Sequence, residues 1–298
     1  MRETTVGGLL VLGAALGFGT LAIFGKLAEA AALTRPTLLF FRFLVGASIV
    51  WGVLLVRGEA NRLQGQPFRA TVLLGVIYAG LTLAYFWGLS FLTASLTGIV
   101  FYTYPIYVFA LSAAFLDERL TLPVVGSLAL ALAGVVLVIG VESATVDFRG
   151  VALIMTAALG YAAYNVAGRV LTADTNPSVL TAHVLLAAVA TLAVRWIAAG
   201  ASLPRTPTHW WIVLGIGLVG TGIPLVFLYE GLGRLEATRV SVISTTEPVA
   251  TVALGVTILN ETLAPSTVVG GALVLAGVTL VQVSREQRAW LLSKIGLH

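Results

Sequence analysis

Ten long apolar runs separated by short polar segments are the feature that most constrains how this chain can fold. Each run is about 20 residues long, the length of helix that crosses a hydrocarbon core of about 30 Å. With 58% hydrophobic and only 10% charged residues, the chain has too little polar surface to dissolve as a globule. The sequence therefore predicts an all-α integral membrane protein with ten transmembrane helices, at approximate spans 5–28, 36–56, 70–91, 94–116, 121–140, 150–171, 177–199, 210–231, 237–259 and 264–284.

The second half of the sequence repeats the first at an offset of 143 residues. Over residues 88–138 this offset gives 20 identities in 51 positions, more than biased composition explains. Because a five-helix unit crosses the membrane an odd number of times, its second copy must enter from the opposite side. The sequence thus predicts two inverted repeats, 5–141 and 148–284, followed by a cytoplasmic tail at 285–298. Alternating access is commonly built on inverted repeats.

Basic residues are distributed unequally between the two sides of this topology. If the N-terminus is inside, the inside segments hold Arg2, Arg57, Arg62, Arg69, Arg119, Arg169, Arg234, Arg239, Arg285, Arg288 and Lys294, and the outside segments hold Lys26, Arg35, Arg149, Arg195 and Arg205. The positive-inside rule then predicts that both termini are cytoplasmic. The net charge of +4 and the pI of 9.6 come from these scattered loop residues, so we expect lipid and no nucleic acid as a partner.

Motifs for catalysis are missing from the sequence. The chain has no cysteine, which excludes disulfides and thiolate metal sites. It has no phosphate-binding loop, no HExxH motif and no cluster of His and Asp residues, so we expect no cofactor, no metal and no enzymatic activity. A channel would more naturally show rings of like charge or a repeated filter segment, and neither is visible.

Two segments at matching places in the halves carry a family resemblance. TYPIYVFALSAAFLDERLTLPVVGSLALALAGVVLV and TTEPVATVALGVTILNETLAPSTVVGGALVLAGVTLV resemble the hallmark segments of EamA-type domains. Two such domains form a drug/metabolite transporter, and the resemblance covers about residues 6–283. It implies ten helices around a central cavity lined mainly by helices 1, 3, 4, 6, 8 and 9. Within the family, the chain resembles amino-acid exporters of the YddG type.

Glu247 is the charged residue that lipid should tolerate least. It lies near the middle of the ninth predicted helix, where an unpaired carboxylate costs at least about 2.5 kcal/mol. Its counterpart in the first repeat is Tyr104, so the two halves differ at the membrane centre. Two interpretations remain equal: Glu247 contacts a substrate ammonium group or exchanges a proton, or it caps a helix break at Pro248 or pairs with another helix.

Tyrosines form the second group of candidate binding residues. Tyr78 and Tyr85 are seven residues apart with Thr82 between them, so all three share one helix face. Tyrosine offers an apolar wall and a hydroxyl, which suits a zwitterion or an amphipathic metabolite. Ordinary aromatic packing or an interfacial belt is the alternative for each one. The remaining candidates for substrate binding are Tyr102, Tyr161, Tyr164, Asn165 and Thr245.

Two further polar residues lie at equal depth in the second and seventh predicted helices. Arg42 and His183 correspond in the two repeats at a locally shifted register. Since the resemblance places these helices at the flank, we expect structural roles such as ion pairing or snorkelling rather than substrate contact.

Paired prolines and glycines suggest where the helices bend. Pro105 and Pro248 occupy equal places in the two repeats, and each removes a helix hydrogen bond, which makes them candidate hinges alongside Gly17 and Gly160. Static kinks are the equal alternative. Glu118 and Glu261 precede the fifth and tenth predicted helices, where a carboxylate favours the start of a helix, so we expect structural roles.

Together these features predict a secondary transporter in a bacterial inner membrane. Its substrates would be small metabolites, foremost aromatic or other neutral amino acids, exported by alternating access. Drugs, nucleosides or sugars are the alternative substrates, and a membrane receptor or enzyme is the alternative class. A monomer or a weak homodimer is expected.

Overall fold

A computed structural model describes residues 3–61, 63, 65–115, 122–141, 146–171, 175–235 and 237–294. Within these ranges the chain is helical and contains no strand. The helices are α1 (Glu3–Gly19), α2 (Leu21–Ala30), α3 (Arg35–Val56), α4 (Gly65–Gly88), α5 (Ala94–Phe101), α6 (Tyr104–Phe115), α7 (Leu122–Val141), α8 (Phe148–Leu171), α9 (Pro177–Ala198), α10 (Pro207–Gly217), α11 (Ile223–Leu232), α12 (Ala237–Ser244), α13 (Thr246–Leu259) and α14 (Pro265–Lys294). A π-helical turn, Leu218–Gly222, joins α10 to α11.

Seven segments of the described chain are long and apolar enough to cross a membrane. They are Glu3–Ala30, Arg35–Val56, Gly65–Gly88, Ala94–Phe115, Phe148–Leu171, Pro177–Ala198 and Pro207–Leu232. Large apolar side chains such as Leu55, Val136 and Trp211 are exposed on the outer faces, which suits a lipid environment. The predicted class of all-α membrane protein is therefore confirmed.

Several of the apolar segments are interrupted near their middle. α1 and α2 meet at Thr20, whose hydroxyl donates to the backbone oxygen of Gly17 at 2.6 Å. The segment 94–115 breaks between Phe101 and Tyr104, and 237–259 breaks at Thr245. Proline follows each of these last two breaks, at the second position of α6 and the third of α13, where its missing N–H costs no helix bond.

Helix packing pairs elements from the two halves. α1 packs against α11 and α13, α8 against α4 and α6, α3 against α9, and α7 against α14. Buried side chains form two apolar clusters, one centred on α3, α4 and α9 and one on α5, α8 and α14. This arrangement brings α3, α4, α5, α6, α8 and α13 together in one region of the bundle, which holds Glu247 and most of the tyrosines.

The last helix differs from its predicted end. α14 continues to Lys294, so most of the segment predicted as a tail at 285–298 is helical. No glycine or proline stands between Ser284 and Lys294, and Glu, Arg, Gln, Ala and Leu are good helix formers. The helix therefore extends past its apolar part.

Candidate functional site

Six of the eight tyrosines lie in one group, which we call the tyrosine cluster: Tyr78, Tyr85, Tyr102, Tyr104, Tyr161 and Tyr164. Ring contacts run from Tyr78 to Tyr164 (4.9 Å between centroids) and from Tyr104 to Tyr161 (4.8 Å). Phe101 connects Tyr85 to Tyr161, with centroid distances of 5.1 and 5.6 Å. The cluster thus brings together α4, α6, α8 and the break between α5 and α6.

Most side chains of the tyrosine cluster are only partly buried. Tyr78, Tyr85, Tyr104, Tyr161 and Tyr164 are half-buried, so part of each side chain is not covered by the protein. Tyr102 is fully buried, and its hydroxyl has no hydrogen-bond partner among the described residues. A buried hydroxyl without a partner is rare in folded proteins. These tyrosines therefore offer apolar ring surfaces and, at Tyr102, a hydroxyl without a partner among the described residues.

Glu247 lies beside the tyrosine cluster, in the first turn of α13. Its carboxylate is within electrostatic range of the hydroxyls of Tyr78, Tyr85, Tyr102, Tyr104 and Tyr161. No described residue donates a hydrogen bond to this carboxylate or forms an ion pair with it. Glu247 lies in the first turn of α13, at the positive end of the helix dipole. The dipole stabilises the charged carboxylate only in part.

A close approach between α1 and α13 fixes the backbone at Glu247. The hydroxyl of Thr251 donates to the backbone oxygen of Gly19 at 3.0 Å. A Cβ atom on Gly19 would stand 3.0 Å from the backbone oxygen of Glu247, so this contact needs a small residue. The break between α1 and α2 therefore lies directly against the turn that carries Glu247.

Arg42 reaches the same region from α3. Its side chain is buried, with 4% of its surface exposed, and its guanidinium lies over the rings of Phe43 and Phe86 at 5.0 and 5.4 Å. Tyr78 and Tyr85 are its electrostatic neighbours, as they are for Glu247. Arg42 forms no ion pair with any described residue, in contrast to the expected structural pairing.

Thr221 holds Arg42 through one hydrogen bond. The Nε atom of Arg42 donates to Thr221 Oγ1 at 2.9 Å, and that hydroxyl donates to the backbone oxygen of Ile216 at 3.0 Å. Thr221 lies in the π-helical turn, a type of helix irregularity that is frequent at functional sites.

The other predicted binding residues have more ordinary surroundings. Thr82 is buried on α4, and the Asn165 side chain donates to the backbone oxygen of Tyr161 at 2.7 Å. Thr245 occupies the break before α13. The binding roles assigned to these residues stay predictions.

The two predicted structural residues His183 and Glu261 join separate helices. The Nδ1 atom of His183 lies 2.9 Å from the Val179 oxygen, and its ring packs on Trp51, which connects α9 to α3. Glu261 accepts from the backbone N–H groups of Ala94 (2.6 Å) and Ser95 (3.0 Å), so it caps the start of α5 rather than that of α14. Glu118 lies outside the described residues.

Two cavities lie at opposite ends of α3. The first, which we call the Trp87 cavity, has a volume of about 400 Å³ and is bordered by Glu29, Arg35, Phe86, Trp87 and Arg195, among others. The second, the Glu230 cavity, has a volume of about 440 Å³, and Arg57, Tyr229, Glu230 and Arg234 are among its lining residues.

Aromatic residues separate both cavities from the site. Phe86 borders the Trp87 cavity and also contacts Arg42. Tyr229 borders the Glu230 cavity and is hydrogen-bonded to Thr181. Glu230 pairs with Arg57 and Arg234 across the ends of α3 and α11. Arg42 therefore lies on α3 between the parts of the helix that border the two cavities.

The sequence matches the model of the EamA-like transporter family twice, at residues 5–140 and 148–283. Together these matches span nearly the whole chain. The chain belongs to the EamA-like transporter family. Within the described residues of this EamA protein, no group of three or more His, Cys, Asp or Glu residues could hold a metal ion.

Relatives of this EamA protein include named transporters from bacteria and archaea. The pseudopaline exporter CntI of Pseudomonas aeruginosa is 26% identical over 93% of this chain and 96% of its own length. The uncharacterized transporter YoaV of Bacillus subtilis is 26% identical over 82% of this chain and 86% of its own. A solved crystal structure that is 23% identical aligns with a TM-score of 0.71 over 95% of this chain and 98% of that one, which supports the fold alone.

Sequence reasoning missed three parts of this site. The sequence indicates Tyr104 only as the counterpart of Glu247 in the repeat, although an exchange of tyrosine for glutamate within an apolar run is a usable signal. Phe101 and Thr221 gave no signal, because one of many phenylalanines and threonines does not stand out in an apolar chain. The π-helical turn that places Thr221 has no sequence signature of the kind that proline gives.

Proposed function

We propose that this EamA protein is a secondary transporter that exports small amphipathic metabolites, foremost aromatic or other neutral amino acids, across a bacterial inner membrane. Ten membrane crossings in two inverted repeats would carry the substrate by alternating access, with both termini in the cytoplasm. The relative named as a pseudopaline exporter supports the outward direction. The protein is not an enzyme in this proposal, in line with its family of transporters.

One observation carries the proposal: Glu247 places beside the tyrosine cluster a carboxylate that has no partner among the described residues. A charged side chain inside a membrane protein raises its free energy unless it pairs with another group or binds a ligand or ion. Such residues generally mark the pathway of a substrate or ion. The ring walls supply apolar contact and the carboxylate supplies a partner for an ammonium group. A small molecule with an aromatic or aliphatic body and an amine fits these two demands.

Paired helix breaks support alternating access. The breaks at Tyr102 and Thr245 are 143 residues apart, the same spacing as the sequence repeat. The helix after each break packs on the first helix of the other half: α6 packs on α8, and α13 packs on α1. Two inverted units would give this reciprocal pairing. We propose that Pro105 and Pro248 act as hinges at these breaks, with Gly17 and Gly160 at the neighbouring helix contacts.

Single cysteines can test the ten crossings, because the native chain has none. Glu59→Cys follows α3 and Arg205→Cys precedes α10, and both positions are exposed. We expect a membrane-impermeant maleimide to label Arg205→Cys in intact cells and Glu59→Cys only after the cells are opened. With five crossings between the two positions, they lie on opposite sides. Labelling of both from one side would mean that one helix, such as α7, does not cross.

Export itself is tested with purified protein in liposomes. The liposomes are preloaded with radiolabelled amino acids, amines, nucleosides and sugars in separate batches, and efflux is compared with protein-free liposomes. We expect efflux of phenylalanine or a similar neutral amino acid to exceed the protein-free rate by at least about tenfold. A tenfold faster rate corresponds to a barrier about 1.4 kcal/mol lower. Efflux of nucleosides or sugars alone would replace the proposed substrate class, and no efflux of any would contradict transport.

A further inference from the structure

We infer that Arg42 is the group that binds the carboxylate of the substrate, so that the site selects molecules carrying both a carboxylate and an amine. This inference rests on the proposed function and deepens it. Arg42 thus determines substrate specificity, whereas its sequence position predicted a structural role. Glu247, which shares Tyr78 and Tyr85 as neighbours with Arg42, would face the amine.

The hydrogen-bonding capacity of Arg42 is mostly unused. A guanidinium has five N–H donors and no acceptor. Only the Nε donor is used within the described residues, by Thr221 Oγ1, so the four donors on the two terminal nitrogens have no protein acceptor there. These four donors form the planar fork that matches a carboxylate with two parallel hydrogen bonds.

A structural arginine would have different surroundings. A buried cation that holds a membrane protein together is paired with a carboxylate or with backbone oxygens, since an unpaired one is strongly destabilising. At Arg42, the neighbours of the guanidinium are instead the rings of Phe43 and Phe86. Rings stabilise a cation by cation–π attraction without using its N–H donors. The fork therefore stays available to a ligand.

The protein also restricts the direction in which the fork points. The hydroxyl of Thr221 in the π-helical turn accepts from Nε, and the rings of Phe43 and Phe86 pack against the guanidinium. α3 can approach this turn because Gly46 lacks a side chain: a Cβ there would stand 2.7 Å from Thr221 Cγ2. A charged group held in place by packing and by a neighbouring hydrogen bond is the arrangement that precise ligand recognition needs.

The charges of the site favour a zwitterion over an anion. Arg42 and Glu247 do not pair with each other, although both lie next to Tyr78 and Tyr85. One positive and one negative group thus border the same tyrosines. A substrate with a carboxylate and an ammonium group neutralises both, whereas an amine or an acid alone leaves one protein charge without a partner in an apolar site.

Three matched compounds test this inference: phenylalanine, its amine phenethylamine and its acid 3-phenylpropionate. Binding to purified protein in detergent is measured by the ligand-induced rise in unfolding temperature, and transport is measured in liposomes. In Arg42→Gln we expect the affinity for phenylalanine to fall about tenfold to a hundredfold, the value of a charged hydrogen bond pair. The affinity for phenethylamine should change less than about twofold by the same reasoning, because it lacks the group that Arg42 binds.

Further variants separate binding from folding. Arg42→Lys keeps the charge without the fork, and Thr221→Val removes the bond that fixes Nε, so both should weaken phenylalanine binding less than Arg42→Gln does. Trp51→Phe is the matched control on α3: it removes the hydrogen bond from Trp51 Nε1 to the Ala182 oxygen and should leave the preference among the three compounds unchanged.

Each result has a defined meaning. If Arg42→Gln weakens binding of the amine and the amino acid equally, or of neither, Arg42 does not bind the carboxylate, while transport by the wild type would still support the proposed function. If the wild type binds phenylalanine through Arg42 but moves none across the membrane, the proposed export fails and the carboxylate site remains. If the wild type binds none of the three compounds, the inference fails.

Discussion

Efflux of phenylalanine or a similar neutral amino acid through Glu247→Gln is expected to fall about tenfold to a hundredfold below that of the wild type. Glutamine preserves the size of the side chain but removes the charge that would hold an ammonium group. The carboxylate of Glu247 has no partner among the described residues, so the substitution breaks no contact within that part of the protein. A loss of transport would therefore reflect ligand contact rather than unfolding.

The measurement is efflux from preloaded liposomes, with and without an imposed pH gradient. Glu59→Gln is the control, because it removes an exposed carboxylate that follows the end of α3 and borders the Glu230 cavity, away from Arg42 and Glu247. We expect the control to match the wild type. We also expect any residual efflux through Glu247→Gln to be independent of the pH gradient, since Glu247 is the carboxylate near the tyrosine cluster that can exchange a proton.

Full activity of Glu247→Gln would support the alternative interpretation. In that case Glu247 stabilises the start of α13, where it lies in the first turn, and its interaction with the helix dipole is worth up to about 2 kcal/mol in a partly buried position. A lower unfolding temperature with unchanged transport would indicate the same role. The two interpretations thus differ in which quantity the substitution changes.

The helical class and the polar centre of this protein could be predicted from sequence, because lipid imposes strong rules. Apolar runs of sufficient length give helices, and a carboxylate inside an apolar run, such as Glu247, is costly unless it is paired or binds a ligand. The helix breaks just before Pro105 and Pro248 also follow from local chemistry, since a proline is tolerated in the first turn of a helix and not in its interior. These signals depend on one residue or one segment at a time.

Contacts between distant helices could not be predicted in the same way. Ion pairing or snorkelling was expected for Arg42, and its Nε atom donates to Thr221 of a π-helical turn that no residue pattern marks. Glu261 was assigned to its own neighbouring helix, whereas it caps α5 from the end of α13. In both cases the partner is more than a hundred residues away, and only the packing of α3 and α13 reveals it.

Gly17→Ala is expected to lower the free energy of unfolding by about 1–3 kcal/mol, the usual cost of forcing extra volume into a packed site. A Cβ atom on Gly17 would stand 2.4 Å from Pro224 Cγ and 2.6 Å from the backbone oxygen of Val219. Neither a proline ring nor a backbone oxygen can turn away as a flexible side chain does. Val219 belongs to the π-helical turn, so the strain falls on the segment that positions Thr221 and Arg42.

Gly8→Ala on the same helix is the matched control, because its new Cβ would meet only Ile243 Cδ1, at 4.0 Å. Alanine is favoured over glycine in a helix by about 0.5–1 kcal/mol, so this variant should be as stable as the wild type or slightly more so. Unfolding temperature in detergent and efflux from liposomes are measured for both. If Gly17 is chiefly a packing residue, Gly17→Ala loses stability and phenylalanine binding together. A variant that stays stable, binds phenylalanine normally and transports slowly would instead support the proposed hinge, because only the change between states would then be affected.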